Sequence, residues 1–188
     1  MSSLIKSSSP REMATNEAAS FTMEESGQYL TFWQRDEMFA VGILGIKEII
    51  EYTKLTTVPL MPDFISGVIN IRGAVVPVID LSARFGREAA VPTRRSCIVI
   101  IETVNDNEKI DIGIIVDSVS EVLAIPPAEI EPAPRFGTNI RADFISGMGK
   151  VNDKFVIILD ISRVLSIDEM SSLASVSSQP LPEAARLG

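Results

Sequence analysis

The sequence of 188 residues contains no histidine. That removes histidine from acid–base catalysis, metal ligation and phosphotransfer within this chain. It has a single cysteine, Cys97, which rules out an internal disulfide and fits a reducing compartment. No apolar run is long enough to span a bilayer. The N-terminus opens Met1-Ser2-Ser3-Leu4-Ile5-Lys6 and then turns polar, without the apolar core of a signal peptide. A surplus of cations is also missing. The formal net charge is −8, so phosphate backbones would repel the chain and nucleic acid is a poor partner. What is present is a 46% hydrophobic content, enough for a packed core. The expectation is a soluble cytosolic protein of one or two domains.

Within that core-forming material one stretch occurs twice. Asp63-Phe64-Ile65-Ser66-Gly67 opens a segment that runs to Asp80-Leu81-Ser82. Asp143-Phe144-Ile145-Ser146-Gly147 opens another that runs to Asp160-Ile161-Ser162. The copies align without a gap, which identifies a duplicated structural unit. The likeness extends upstream: Phe39 to Ile43 followed by Ile46 to Ile50 is mirrored by Ile112 to Val116 followed by Val119 to Leu123.

Taken in order, residues 1–27 are polar and aperiodic and read as a mobile tail. Strands are expected at Tyr29–Trp33 and Met38–Ile43, around a polar turn at Gln34–Glu37. A half-buried strand follows at Ile46–Tyr52, then a proline-restricted loop through Pro59 and Pro62. Phe64–Ile71 reads as a strand with a bulge or close backbone approach at Gly67. Arg72-Gly73 is a tight turn. Val75–Ile79 is a buried strand whose Pro77 argues for an edge or irregular pairing. Asp80 caps a short helical turn, Leu81–Phe85. The second half repeats the plan with strands at Cys97–Ile101, Ile110–Asp117 and Val119–Ile125. A long connection through Pro126–Pro134 leads to the second hairpin. A C-terminal helix is expected from Ile161 to about Val176, and the last dozen residues read as frayed. Strand sets this small close on themselves to remove their edges. The fold expected is all-β: two tandem five-stranded barrels packed together, with short helical turns. The tail is 1–27, the paired barrels span 28–168 (about 28–90 and 91–168, with approximate boundaries and strands open to exchange), and 169–188 forms the helix end and a flexible tail.

The candidate chemistry is sparse. Asp80 and Asp160 end apolar strands, where a receiver domain would place its phospho-acceptor. The acidic pair, the later lysine and the alternating helices of that fold are not evident, so helix capping is the better reading. Glu102, Asp106, Glu108 and Asp111 form a carboxylate-rich turn with no fixed spacing on a rigid element. Cys97 has no histidine to activate it and reads as a packing residue. Residues 67–73 lack the Lys-Ser/Thr ending of a phosphate loop. Arg72 stands apart. The second copy builds the same turn from Asn152-Asp153, so the turn does not need arginine. Arg72 is either an incidental solubilising charge or a contact to an acidic partner. Ile43, Ile46 and Ile49 are core residues or, where exposed, part of a partner-binding patch.

Phe64 to Leu81, with its Asn70-Ile71-Arg72-Gly73 turn and its Pro77-Val78-Ile79-Asp80-Leu81 ending, resembles the signature of the CheW family of bacterial chemotaxis coupling proteins. Ile110–Leu123, Pro132-Ala133-Pro134 and Phe144–Gly147 are similar to that family too, and the resemblance covers roughly residues 28–168. It implies SH3-like barrels and a non-enzymatic adaptor, with no catalytic residue, cofactor or metal. The implied partners are the cytoplasmic tips of methyl-accepting chemotaxis receptors and the regulatory domain of the histidine kinase CheA. The protein would be a monomer alone, gathered into receptor arrays at the inner face of the membrane. The resemblance implies a receptor-facing surface of Glu48, Ile49 and Arg72, with Ile43 and Ile46 nearby in the groove between barrels. It implies a kinase-facing surface around Phe64 and Gly67, and a kinase contact at Phe136 in extended arrays. The longer N-terminal tail and the Ser-rich C-terminus depart from the compact family pattern and leave open a paralogue serving twitching motility or another chemosensory pathway. A phospho-accepting domain built on Asp80 is the alternative of a different class.

Overall fold

The computed structural model describes residues 27–134, 140–166 and 168. The first half contributes β1 (Gln28–Gln34), β2 (Glu37–Gly42), β3 (Ile46–Glu51), β4 (Ile65–Ile71), β5 (Ala74–Asp80) and a one-turn helix α1 (Leu81–Arg84). The second contributes β6 (Cys97–Asn105), β7 (Glu108–Val116), β8 (Ser118–Ala124), a two-residue β9 (Ile130–Glu131), β10 (Ile145–Val151), β11 (Lys154–Leu159) and α2 (Ile161–Val164). Apolar runs of alternating burial, interrupted by two-residue polar turns, leave the chain little choice but hairpins.

The strands form two sheets, ordered β3-β6-β7-β5-β4 and β8-β1-β2-β11-β10-β9. Each draws on both halves of the chain. The β1–β2 hairpin lies beside the second half's β8 and β11, and the β6–β7 hairpin lies beside the first half's β3 and β5. Both sheets close. In the β3 barrel, Thr56 reaches Val68 on β4 through paired backbone hydrogen bonds of 3.0 and 2.9 Å. In the β1 barrel, β9 continues the path of β8 and pairs with β10. Counting β8 and β9 as one interrupted strand, both barrels are five-stranded, the all-β pair expected from the sequence.

Each barrel has its own interior. Ile69, Val76, Val78, Ile98, Ile100 and Ile115 fill the β3 barrel, while Ala40, Ile125, Val156 and Ile158 fill the β1 barrel. The largest cluster lies where the two meet. There Phe32, Phe39, Phe85 and Phe144 form a chain of ring contacts with centroids 5.9, 5.5 and 6.1 Å apart. Such aromatic pairs add to what area burial alone contributes.

Several local expectations differ from the structure. Pro77 sits on an inner strand, yet the parallel ladder between β5 and β7 starts only at Val78, so its missing N–H interrupts nothing. The connection after Pro126 is not all loop. A 3-10 turn at Pro127–Glu129 leads into β9, whose two residues are too few to give a strand signal. Phe144 closes a 3-10 turn and does not open β10. The C-terminal helix is seen over Ile161–Val164, and its expected continuation lies largely outside the described residues. The tails expected at 1–27 and 169–188 lie outside them almost entirely.

Candidate partner-binding groove and barrel mouth

The structure brings together four of the five residues expected to face a receptor on one short segment, and the fifth reaches it from a hairpin tip. Ile43 lies in a 3-10 turn after β2, and Ile46, Glu48 and Ile49 lie on β3. Strand β3 is not regular. Ile46 lies opposite Ile101 and Ile49 opposite Val99, so Lys47 and Glu48 together face the single residue Ile100. This bulge shifts the side-chain alternation by one residue. Ile46 and Ile49 thereby share the face of Val99 and Ile101, and Glu48 and Ile50 share the face of Ile98 and Ile100. Ile43 and Ile46 pack on the large central cluster, and Ile49 stays 42% exposed.

Arg72 comes to Glu48 from the β4–β5 turn. Its guanidinium nitrogen lies 3.0 Å from the Glu48 carboxylate, with the arginine side chain 83% exposed. The pair sits at one mouth of the β3 barrel. With Arg72 open to water and Glu48 half-buried, the pair stabilises the fold little, and the guanidinium is the more accessible of the two groups. Arg72 also has φ +50, in the left-handed region. The Gly73 amide donates to Asn70 Oδ1 at 3.0 Å and steadies the turn.

Beside this mouth runs a groove between the barrels of about 420 Å³. Val41, Ile43, Leu44, Ile101, Leu159 and Ile161 supply its apolar lining, and Gln28, Ser146, Asp160 and Ser162 its polar groups. Leu44 projects there with most of its surface exposed. A largely apolar lining, with Asp160 as its charged group already engaged in capping α2, suits an amphipathic helix better than a charged small molecule. Among the described residues no group of His, Cys, Asp and Glu could hold a metal ion.

The residues expected near a kinase lie differently. Phe64 is buried, and the Arg84 guanidinium lies 5.1 Å from its ring centre. Gly67 is buried at a β-bulge with φ +154, and a Cβ there would stand 2.5 Å from the Thr56 carbonyl oxygen. Both expected features of Gly67, the bulge and the close approach, are therefore present. Just before them in the chain, Leu60 and Met61 are exposed. Phe136 lies outside the described residues.

Asp80 is occupied by the fold. Its Oδ1 accepts from Ser82 N at 2.8 Å and Ala83 N at 3.3 Å, and its Oδ2 from Ala90 N at 2.7 Å. The side chain is buried, and the elements among the described residues are strands with one-turn helices, not the alternating long helices of a receiver domain. Asp160 caps α2 in the same way at a more open site. Cys97 starts β6 half-buried, and burial is the main cause that raises its thiol above the ordinary value.

One residue that the sequence pattern did not single out ties the barrels together. Arg84 is buried, its Nε donates to the Val164 carbonyl at 2.8 Å, and its guanidinium lies over the rings of both Phe64 and Phe144. It thus joins α1 of one repeat to α2 of the other, donating to the last-turn carbonyls of that helix. A signal was available: Val164 stands at the corresponding place in the second copy, so the arginine is unduplicated.

Comparison with known proteins places this geometry. The family described as "CheW-like domain" matches residues 28–169, which spans both barrels. The "Chemotaxis protein CheW" of Klebsiella aerogenes is 32% identical over 150 residues, 80% of this chain and 88% of that one. The protein of the same name from Bacillus subtilis is 33% identical over 151 residues, covering 80% and 92%. Among solved structures, the scaffolding protein TtCheW of Thermoanaerobacter tengcongensis superimposes with a TM-score of 0.68 at 33% identity, covering 76% of this chain and 90% of its own. With both barrels inside the matched region, this chain belongs to the CheW-like domain family.

Proposed function

We propose that this protein is a non-enzymatic adaptor that couples methyl-accepting chemoreceptors to the histidine kinase CheA in chemotaxis signalling. The observation that carries the reading is the family match over both barrels, from residue 28 to 169. The geometry supports it. The open Glu48–Arg72 pair and the adjoining apolar groove offer a polar anchor beside a hydrophobic seat, which suits a receptor helix. Ile43 lines that seat, and Ile46 and Ile49 follow it along the chain on β3. The kinase regulatory domain engages the surface around Phe64 and Gly67, presented by exposed neighbours such as Leu60 and Met61, and a second contact lies at Phe136. Site and work are cytoplasmic, with recruitment to the membrane through receptors. Two weak interfaces suffice, because a complex that holds receptor and kinase together raises the effective concentration of each for the other.

The test is binding of the purified protein to a receptor cytoplasmic fragment and, separately, to the kinase regulatory domain. Saturable binding to both is expected, and Arg72→Ala weakens the first while leaving thermal stability nearly unchanged. Binding to neither partner refutes the reading.

A further inference from the structure

The bulge that orients the receptor-facing residues exists twice, and the two copies hold it differently. In the second, Val119 lies opposite Phe32 and Val122 opposite Leu30, so Ser120 and Glu121 together face Thr31. The buried Thr31 hydroxyl closes that irregularity from within. It donates to the Glu121 carbonyl at 2.7 Å and accepts from the Glu121 amide at 3.2 Å. The first copy has Ile100 where the second has Thr31, and Ile100 carries no hydrogen-bonding group. Its extra residue is Lys47 where the second copy has Ser120.

Lys47 reaches sideways over the sheet. Its ammonium donates to both Asp111 oxygens, at 3.2 and 2.9 Å, and lies 3.8 Å from Glu102. Glu102 and Asp111 are direct cross-strand partners on β6 and β7. Two carboxylates so placed repel each other unless a cation sits between them. Lys109, 3.2 Å from Glu102, is a second cation of the cluster, and the charge of Arg72 also acts on Lys47. The Asp111 hydrogen bond is the main cause that raises the Lys47 ammonium above the usual lysine value.

We infer that Lys47 is a positioning residue: by clamping the β3 bulge to Asp111 and Glu102, it holds Glu48 towards Arg72 and keeps the neighbouring Ile49 exposed. It replaces from outside the hydroxyl that Thr31 supplies from inside in the second copy. The inference rests on the receptor-facing reading for its binding consequence but not for its structural one, and the test has an arm for each.

The structural arm is amide hydrogen exchange in the free protein. Lys47→Met and Asp111→Asn each speed exchange over Glu48–Ile50 by about threefold to tenfold, the scale of a lost surface ion-pair network, while Lys47→Arg restores protection. The binding arm is affinity for a receptor cytoplasmic fragment, which falls by a similar factor in Lys47→Met and in Asp111→Asn and returns in Lys47→Arg. Unchanged exchange in Lys47→Met overturns the inference. So does lost affinity in Lys47→Met with Asp111→Asn silent, because Lys47 then touches the partner itself. If the unaltered protein fails to bind the fragment, the coupling reading falls, and exchange still decides the clamp.

Discussion

Replacing Gly67 by alanine tests whether this position serves the fold or a partner. The perturbation has two parts. The backbone at φ +154 is a conformation that side-chain-bearing residues rarely adopt, and the new Cβ would stand 2.5 Å from the Thr56 carbonyl oxygen. That oxygen accepts from Val68 N at 2.9 Å, and Thr56 N donates back to Val68 at 3.0 Å, so the clash falls on the contact that closes the β3 barrel. Backbone strain of this kind costs about 1–3 kcal/mol. Each weakened closing hydrogen bond adds about 1 kcal/mol. The total is about 2–5 kcal/mol, a large part of a domain's stability. Thermal unfolding should then shift down by roughly 5–15 °C at this chain length. Two other glycines calibrate the measurement. Gly73 has φ +86 but open space around its Cβ, so alanine there carries the conformational part alone. Gly42 has φ −60 and nothing within 4 Å, so alanine is nearly neutral. The expected order of loss is Gly67 above Gly73 above Gly42. Gly67→Ala within about 0.5 kcal/mol of the unaltered protein, the scatter of a surface substitution, refutes the closure argument. If kinase binding is lost at temperatures where Gly67→Ala is fully folded, Gly67 belongs to the interface as well.

The two caps should differ. Asp80→Ala leaves three backbone donors unpaired at a buried site and costs about 2 kcal/mol or more, whereas Asp160→Ala, at an open cap, costs about 1 kcal/mol, both read by chemical denaturation. Acetyl phosphate with magnesium should leave the intact mass unchanged, because the Asp80 carboxylate is already engaged. Cys97 should alkylate slowly at neutral pH. Burial favours the neutral thiol and raises its pKa, so the rate climbs only at pH above the ordinary thiol value; the same rate in native and urea-unfolded protein at pH 7 would refute this.

How far the sequence revealed this molecule depends on which physical signal each feature leaves. A duplicated strand pattern is local, so the hairpins and both aspartate caps were legible from residue types alone. The partnering of hairpins is not local. Nothing in the periodicity of β1 and β2 says that they lie beside β8 and β11 and not beside β3. The β3 bulge was hidden for the same reason. Ile46-Lys47-Glu48-Ile49-Ile50 alternates well enough to pass for a regular strand, and only the register with β6 exposes the extra residue. Arg84 was missed because a lone arginine reads as a surface charge. Its burial depends on two phenylalanines that lie 80 positions apart in the chain.

The repeat itself separates what the fold requires from what a partner requires, and Arg72 is the sharpest case. Turns of this class need positive φ at both central residues, which favours Asn, Asp and Gly. The β10–β11 turn complies, with Asn152 at φ +50 and Asp153 at +62. The β6–β7 turn complies too, with Asp106 at +47 and Asn107 at +65. Arg72 holds φ +50 in the same role without the short polar side chain that tolerates it. Arg35 also holds a positive φ, +54, at an exposed turn whose counterpart carries Asp106, but it is tied into the fold through Ser82 Oγ and the Glu88 carbonyl. Among the described residues Arg72 has only its exposed pair with Glu48, and a residue kept against its local preference without such ties is placed there for something other than the fold. The prediction has opposite signs for the two properties. Arg72→Asn relieves the turn and removes only an exposed ion pair, so unfolding should move up by about 1–3 °C or stay unchanged, equivalent to at most about 1 kcal/mol. Affinity for a receptor fragment should fall by about tenfold, the scale of one charge-assisted contact. A variant that loses stability shows Arg72 to be structural, and one that keeps full affinity shows it to be incidental. Only the combination of a firmer fold and weaker binding fits an arginine held at the barrel mouth for a partner.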